Sequence, residues 1–149
     1  MMSAFLNHGI DTAMQDYTKL LVWQRARALT VAVHEASGSI RPTSAPGLRS
    51  QLMRSAMSIA ANISEGAARD SRADFARFVS IAIGSTSEVE HHLRVCSDLG
   101  LVDASIVDRL STRAVEIRRM LFGLRRALLA ADCPARDLRS SETDSGLNR

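Results

Sequence analysis

Aromatic residues are scarce in this chain: four phenylalanines, one tryptophan and one tyrosine make up 4% of its 149 residues. Only Trp23 and Tyr17 offer a ring with a polar edge, so the stacking platforms of single-strand nucleic-acid binders are missing. Cysteine is nearly absent as well. Cys96 and Cys133 lie far apart and form no Cys-x-x-Cys pair, too few for a disulfide framework. Two free thiols in a reducing, cytoplasmic interior are expected. No apolar run approaches the roughly 20 residues that span a bilayer, and the N-terminus lacks a basic segment followed by an apolar stretch. No membrane association is expected.

Catalytic patterns are missing too. There is no Gly-rich phosphate loop, and the serines and histidines form no motif of a nucleophile with its base. Glu88-x-x-His91 supplies half of a di-iron carboxylate site, but no second Glu-x-x-His occurs. Helical mapping also turns His91 to the polar side. The expectation is a protein without catalytic residues, metal or cofactor.

Apolar periodicity is what the chain has in abundance. Val22, Ala26, Leu29 and Val33 recur at spacings of four and three, which predicts a helix from about Asp16 to Ser37, ended by Gly38 and Pro42. A Ser, Pro and Gly loop follows. Ser44 as N-cap and Pro46 in the first turn open a second helix that runs to about Arg69. Ser71 followed three residues later by Asp74 approximates a capping box for a third helix reaching Leu99, with Gly100 as its stop. Its stripe is Phe75, Phe78, Val79, Ala82, Val89, Leu93 and Cys96. A fourth helix from about Asp103 to Ala131 carries the cleanest heptad: Leu110, Ala114, Ile117, Leu121, Leu124 and Leu128.

Four helices joined by short loops pack most simply as an all-α, up-down-up-down four-helix bundle over residues 16–131. Residues 1–15 lack periodicity and are expected to be mobile, and Met14 would serve as well as Met1 for a start of translation. Residues 132–149 have the polar composition of a disordered tail.

The second helix has more apolar surface than one bundle uses. Leu48, Leu52, Ala56, Ile59 and Ile63 form its core stripe, yet Met53, Met57, Ala60, Ala61 and Ala68 occupy the far side, where a monomer would carry charge. A second burial surface, most simply another copy of the chain, is expected there. Exposed alanines tolerated on a surface are the plainer alternative. Between the two stripes runs a polar line of Gln51, Ser58, Asn62 and Glu65, with Ser55 at its margin. Asn62 and Glu65 are placed to bond across to Ser85, Glu88 or His92 on the third helix, as a buried network that fixes helix register or as part of a ligand site.

These residues carry a resemblance. Leu21-Val22-Trp23-Gln24-Arg25-Ala26, Gln51 to Ala56, Ser58-Ile59-Ala60-Ala61-Asn62-Ile63-Ser64-Glu65-Gly66, Asp74 to Phe78, Ile81 to Ser85 and Glu116 to Leu121 resemble, in order, one bacterial family. It is the four-helix-bundle family encoded in intervening sequences of large-subunit ribosomal RNA genes. The resemblance spans about Tyr17 to Leu129 and implies a ring-shaped homo-oligomer, commonly a pentamer. The family in turn resembles the accessory variability determinant (Avd-like) protein of diversity-generating retroelements, which implies nucleic acid and a reverse transcriptase as partners. Met53 stands where the family often has an arginine, and His34 where it has an aromatic residue.

Eighteen arginines and one lysine, Lys19, give the chain a net charge of +3. A GC-rich genome produces such a bias, and guanidinium groups also suit bidentate contact with phosphate. Arg118-Arg119 and Arg125-Arg126 recur seven residues apart and predict a basic ridge, extended by Arg113, for sequence-independent binding of RNA or DNA. Arg25, Arg54, Arg77 and Lys19 are weaker candidates. A solvated face paired to Glu116 or Asp108, or a surface for a protein partner such as a reverse transcriptase, are the competing readings.

Overall fold

The apolar repeats become four helices in a computed structural model that describes residues 16–41 and 43–130. They are α1 (Leu21–Ser37), α2 (Leu48–Ala67), α3 (Arg72–Asp98) and α4 (Ala104–Ala130), with no strand among the described residues. The expectations for residues 1–15, Pro42 and the segment from Ala131 onward lie outside the described residues.

Local chemistry sets the helix ends, and at three of them it departs from where the pattern alone put them. The Asp16 carboxylate accepts from the Thr18 backbone N–H at 3.2 Å and closes a 3-10 turn over Tyr17–Lys19. Leu20 is then extended, so α1 begins at Leu21 rather than at Asp16. Ser44 does not cap α2. Its N–H donates to the Arg41 carbonyl in an earlier turn, and Gly47, at φ 83°, takes the capping position. That left-handed conformation suits glycine, and the Gly47 carbonyl accepts from the Gln51 N–H at 2.9 Å. The second helix also stops at Ala67, two residues before Arg69.

Elsewhere the signals act as written. The Ser71 hydroxyl accepts from the Asp74 N–H at 3.1 Å and donates to the Asp74 carboxylate at 2.9 Å. Gly100 adopts φ 64°, and the N–H groups of Leu101 and Gly100 bond back to the carbonyls of Cys96 and Ser97, the Schellman arrangement that closes α3. Asp103 opens α4 by accepting from the Ser105 N–H at 2.8 Å, and its bonds to Ser105 hold its carboxyl below the usual range.

Packing follows chain order. Each helix lies against its neighbours in sequence, and α1 closes the circuit against α4. Arg118 of α4 reaches Ser87 and Glu90 of α3, while Arg125, two turns on, reaches Ser80, two turns back; the two helices are therefore antiparallel. Leu29, Leu52, Ile59, Ile63, Phe75, Leu93, Leu110, Ile117 and Leu121 are almost wholly buried between the four helices. Each such side chain contributes about 1.5–3 kcal/mol of transfer free energy, so the core stripes hold the fold. Leu48, Phe78 and Leu124, expected in the same stripes, are half-buried at their edges. At the α2–α3 corner a Cβ on Gly66 would lie 2.6 Å from the Phe75 ring and 2.8 Å from the Phe78 Cβ, so only glycine permits this approach. No described helix is long and apolar enough to cross a membrane.

Candidate nucleic-acid interface

The arginines of α4 do not form one ridge. At 100° per residue, Arg118 and Arg125 turn toward α3, while Arg119 and Arg126 turn to solvent. Arg118 is half-buried and ion-paired to Glu90, with Ser87 Oγ 3.4 Å away. Arg125 lies over the Phe122 ring, 5.3 Å from its centroid, and donates to Ser80 Oγ at 3.4 Å. Arg118, counted with the ridge on sequence grounds, is therefore a structural cation whose charge is already matched. Phe122, Arg126 and Leu129 remain exposed near the end of α4.

Arg113 faces a different neighbour. It projects over the seam between α1 and α4, where Arg25, Arg113, Arg119 and Glu116 line a cleft of about 500 Å³ together with Leu21, Ala28, Ile117 and Met120. A second hollow continues along the same seam, lined by Glu35, Arg109 and Arg113 among others. Among the described residues Arg25, Arg109, Arg113, Arg119 and Arg126 make no ion pair. By contrast, Arg69 bonds Glu65 and Arg77 pairs with Asp74, and both guanidinium groups also lie over the Phe78 ring. Arg27, Arg41, Arg49, Arg54 and Arg94 also make no ion pair among the described residues, so the α1–α4 side is distinguished by geometry, with Arg25, Arg113 and Arg119 lining one cleft. Arg109 is absent from the sequence-based candidates, although its place one turn before Arg113 was the available signal.

The far side of α2 divides. Met53 and Ala60 are half-buried and pack on the core of their own chain, whereas Met57, Ala61 and Ala68 are exposed, Met57 by 57%. The polar line divides as well. Ser58 Oγ accepts from Ser85 Oγ at 2.9 Å across the α2–α3 contact, and Asn62 Nδ2 donates to the same hydroxyl at 2.9 Å and to the Ser58 carbonyl at 2.8 Å. Gln51, Glu65 and Glu88 stay outside this cluster. Gln51 and Glu88 are exposed, and Glu65 turns to Arg69 one helical turn away. Long polar side chains reach water at the rim, so only the short ones are held inside.

A sequence model described as 23S rRNA-intervening sequence protein matches residues 18–123. The chain belongs to that family. Among solved structures it is similar to the crystal structure of a protein of unknown function from the S23 ribosomal protein family of Bacteroides thetaiotaomicron VPI-5482. The TM-score is 0.66 and the identity 22%, covering 71% of this chain and 99% of that one. At that identity the likeness speaks for the fold. No curated protein matches the chain.

Within the 23S rRNA-intervening sequence protein match lie Arg25, Arg109, Arg113 and Arg119, whereas Arg125 and Arg126 fall beyond it. The family-like segments also have a structural reading. Gly66 ends Ser58 to Gly66 at a close contact of α2 with Phe75 and Phe78 of α3, and Ser58 and Asn62 form a cluster with Ser85 across the helices. Glu88 and His91 are both exposed, and no group of three His, Cys, Asp or Glu gathers as a metal site among the described residues.

Proposed function

We propose that this member of the 23S rRNA-intervening sequence protein family is a non-enzymatic, cytoplasmic oligomer that binds RNA or DNA without sequence specificity through the α1–α4 side. The supporting observation is the set of five arginines there, Arg25, Arg109, Arg113, Arg119 and Arg126, that make no ion pair among the described residues. Glu35 and Glu116 beside them, with Asp108 on the same side of α4 by helical position, leave the side net positive. Repetition of this side around a ring, with five copies as the expected number, would build a field for phosphate. Met57, Ala61 and Ala68 are the apolar positions available to join the copies.

Retention of labelled RNA and DNA at low and moderate salt tests the reading. Binding is expected to fall steeply with salt, and Arg109→Ala, Arg113→Ala, Arg119→Ala and Arg126→Ala combined should reduce both affinity and salt slope. Arg118→Ala should leave the salt slope unchanged. No retention at low salt sinks the proposal. It would favour instead an adaptor for a protein partner such as a reverse transcriptase, a reading supported by the exposed Phe122 and Leu129 beside Arg126.

A further inference from the structure

The α1–α4 cleft differs from the rest of the basic side because it has a wall, a floor and a defined charge. Two helices contribute to it. Arg25 comes from α1, and Arg113 and Arg119 come from α4, so guanidinium groups approach one volume from both sides. Glu116, three residues from each α4 arginine, also lines the cleft but ion-pairs with neither. The lining therefore carries three positive charges against one negative. Between them buried Ile117 and half-buried Met120 give an aliphatic and thioether base, with the exposed Leu21 and Ala28 of α1 beside it. A volume of about 500 Å³ falls within the range of small-ligand sites.

Each feature narrows the ligand. Ile117 and the Met120 thioether suit the face of a planar ring whose polar edges stay in solvent. Guanidinium forks suit phosphate oxygens bidentately and also stack on planar rings. The net charge then discriminates between kinds of phosphate. A monoester carries about −1.5 to −2 at neutral pH, which matches the lining. An internal diester of a nucleic-acid strand carries one charge and would leave a guanidinium unmatched.

We infer that the cleft lined by Arg25, Arg113, Arg119 and Glu116 binds a terminal phosphate monoester on a nucleoside. Two sources share this chemistry, a free 5′-nucleotide and the phosphorylated 5′ end of a strand. The second source rests on the proposed nucleic-acid function, and the first does not.

The full chain is titrated with one short oligoribonucleotide in two forms, 5′-phosphorylated and 5′-hydroxyl, and separately with AMP and adenosine. At moderate salt the phosphorylated form of the true ligand should bind at least about tenfold more tightly than its unphosphorylated counterpart. Arg113→Ala with Arg119→Ala should abolish the preference, and Glu116→Gln should strengthen it. All three positions are on the surfaces of helices, and circular dichroism of the variants checks the fold. If AMP binds and neither oligonucleotide is retained at low salt, the cleft reading stands with a free nucleotide as source, and the proposed function fails. If the phosphorylated strand is preferred and AMP does not compete, the strand end is the source. Equal binding of both oligonucleotides with no binding of AMP overturns the inference and leaves the proposed function intact. Absence of binding by all four ligands overturns both.

Discussion

Glu90 of α3 and Arg118 of α4 form an ion pair across the helix contact, with their side chains only 14% and 29% exposed. Truncating one partner leaves the other charge partly buried without compensation. Glu90→Ala should therefore lower stability by about 1–3 kcal/mol, read as a fall in urea midpoint at unchanged slope. The double variant Glu90→Ala with Arg118→Ala should lose less than the sum of the single changes. Additive losses would show that the pair is not coupled.

Gly66 tests the close approach of α2 and α3. A Cβ there would meet the Phe75 ring and the Phe78 Cβ well inside contact distance. Gly66→Ala gains helix propensity of about 1 kcal/mol but must push these rings aside. The expected outcome is a net loss of about 1–3 kcal/mol, measured by urea denaturation. A stabilised variant would contradict the described corner.

Met57 tests assembly. It is 57% exposed on the far side of α2, so replacing it costs the folded chain little. Met57→Arg should leave thermal stability of the single chain near that of the parent while converting the proposed oligomer to a monomer in light scattering. A parent protein that is already monomeric at micromolar concentration would remove the ring from the proposal. An oligomer that persists in the variant would move the interface elsewhere.

His92 gives the α3 surface a pH response. Burial pushes its pKa down, the neighbouring His91 charge adds to this, and Glu88 opposes both. Above about pH 7 both folded and unfolded chains hold it neutral, and the shift contributes nothing. As pH falls through the ordinary histidine value of about 6.5, the unfolded chain takes up the proton first, so stability declines until the lower folded-state value is passed. His92→Gln should flatten the change in urea midpoint between about pH 7.5 and pH 5. An unchanged pH profile in the variant would assign the response to other groups.

Some of the candidate interface could be read from the chain and some could not. The seven-residue recurrence of Arg118-Arg119 and Arg125-Arg126 places each pair on repeating helical sides, and that much is local geometry. It does not say what stands opposite. Arg118 meets a carboxylate 28 residues earlier in the chain, while Arg119 and Arg113 look onto a seam with Arg25 from the first helix. Similarly, Ser58 and Ser85 meet because two helices face each other there, whereas Glu65 finds Arg69 on its own helix.

The sequence by itself determined that there are four helices, which faces they bury, where Ser71 opens α3 and where Gly100 closes it. Those features depend on neighbours within one or two helical turns, and the periodicity of the chain expresses them directly. Arg69 and Arg77 find Glu65 and Asp74 within one turn of their own helices, but only the tertiary structure decided that Arg118 is matched by Glu90 and that Arg25, Arg113 and Arg119 surround one cleft. A guanidinium group can reach past its own helix, and where it does, as at Arg118, its partner is set by how helices pack. The meeting of Arg25 with Arg113 and Arg119 at one cleft is thus a property of the bundle, since the linear sequence keeps the first helix far from the fourth.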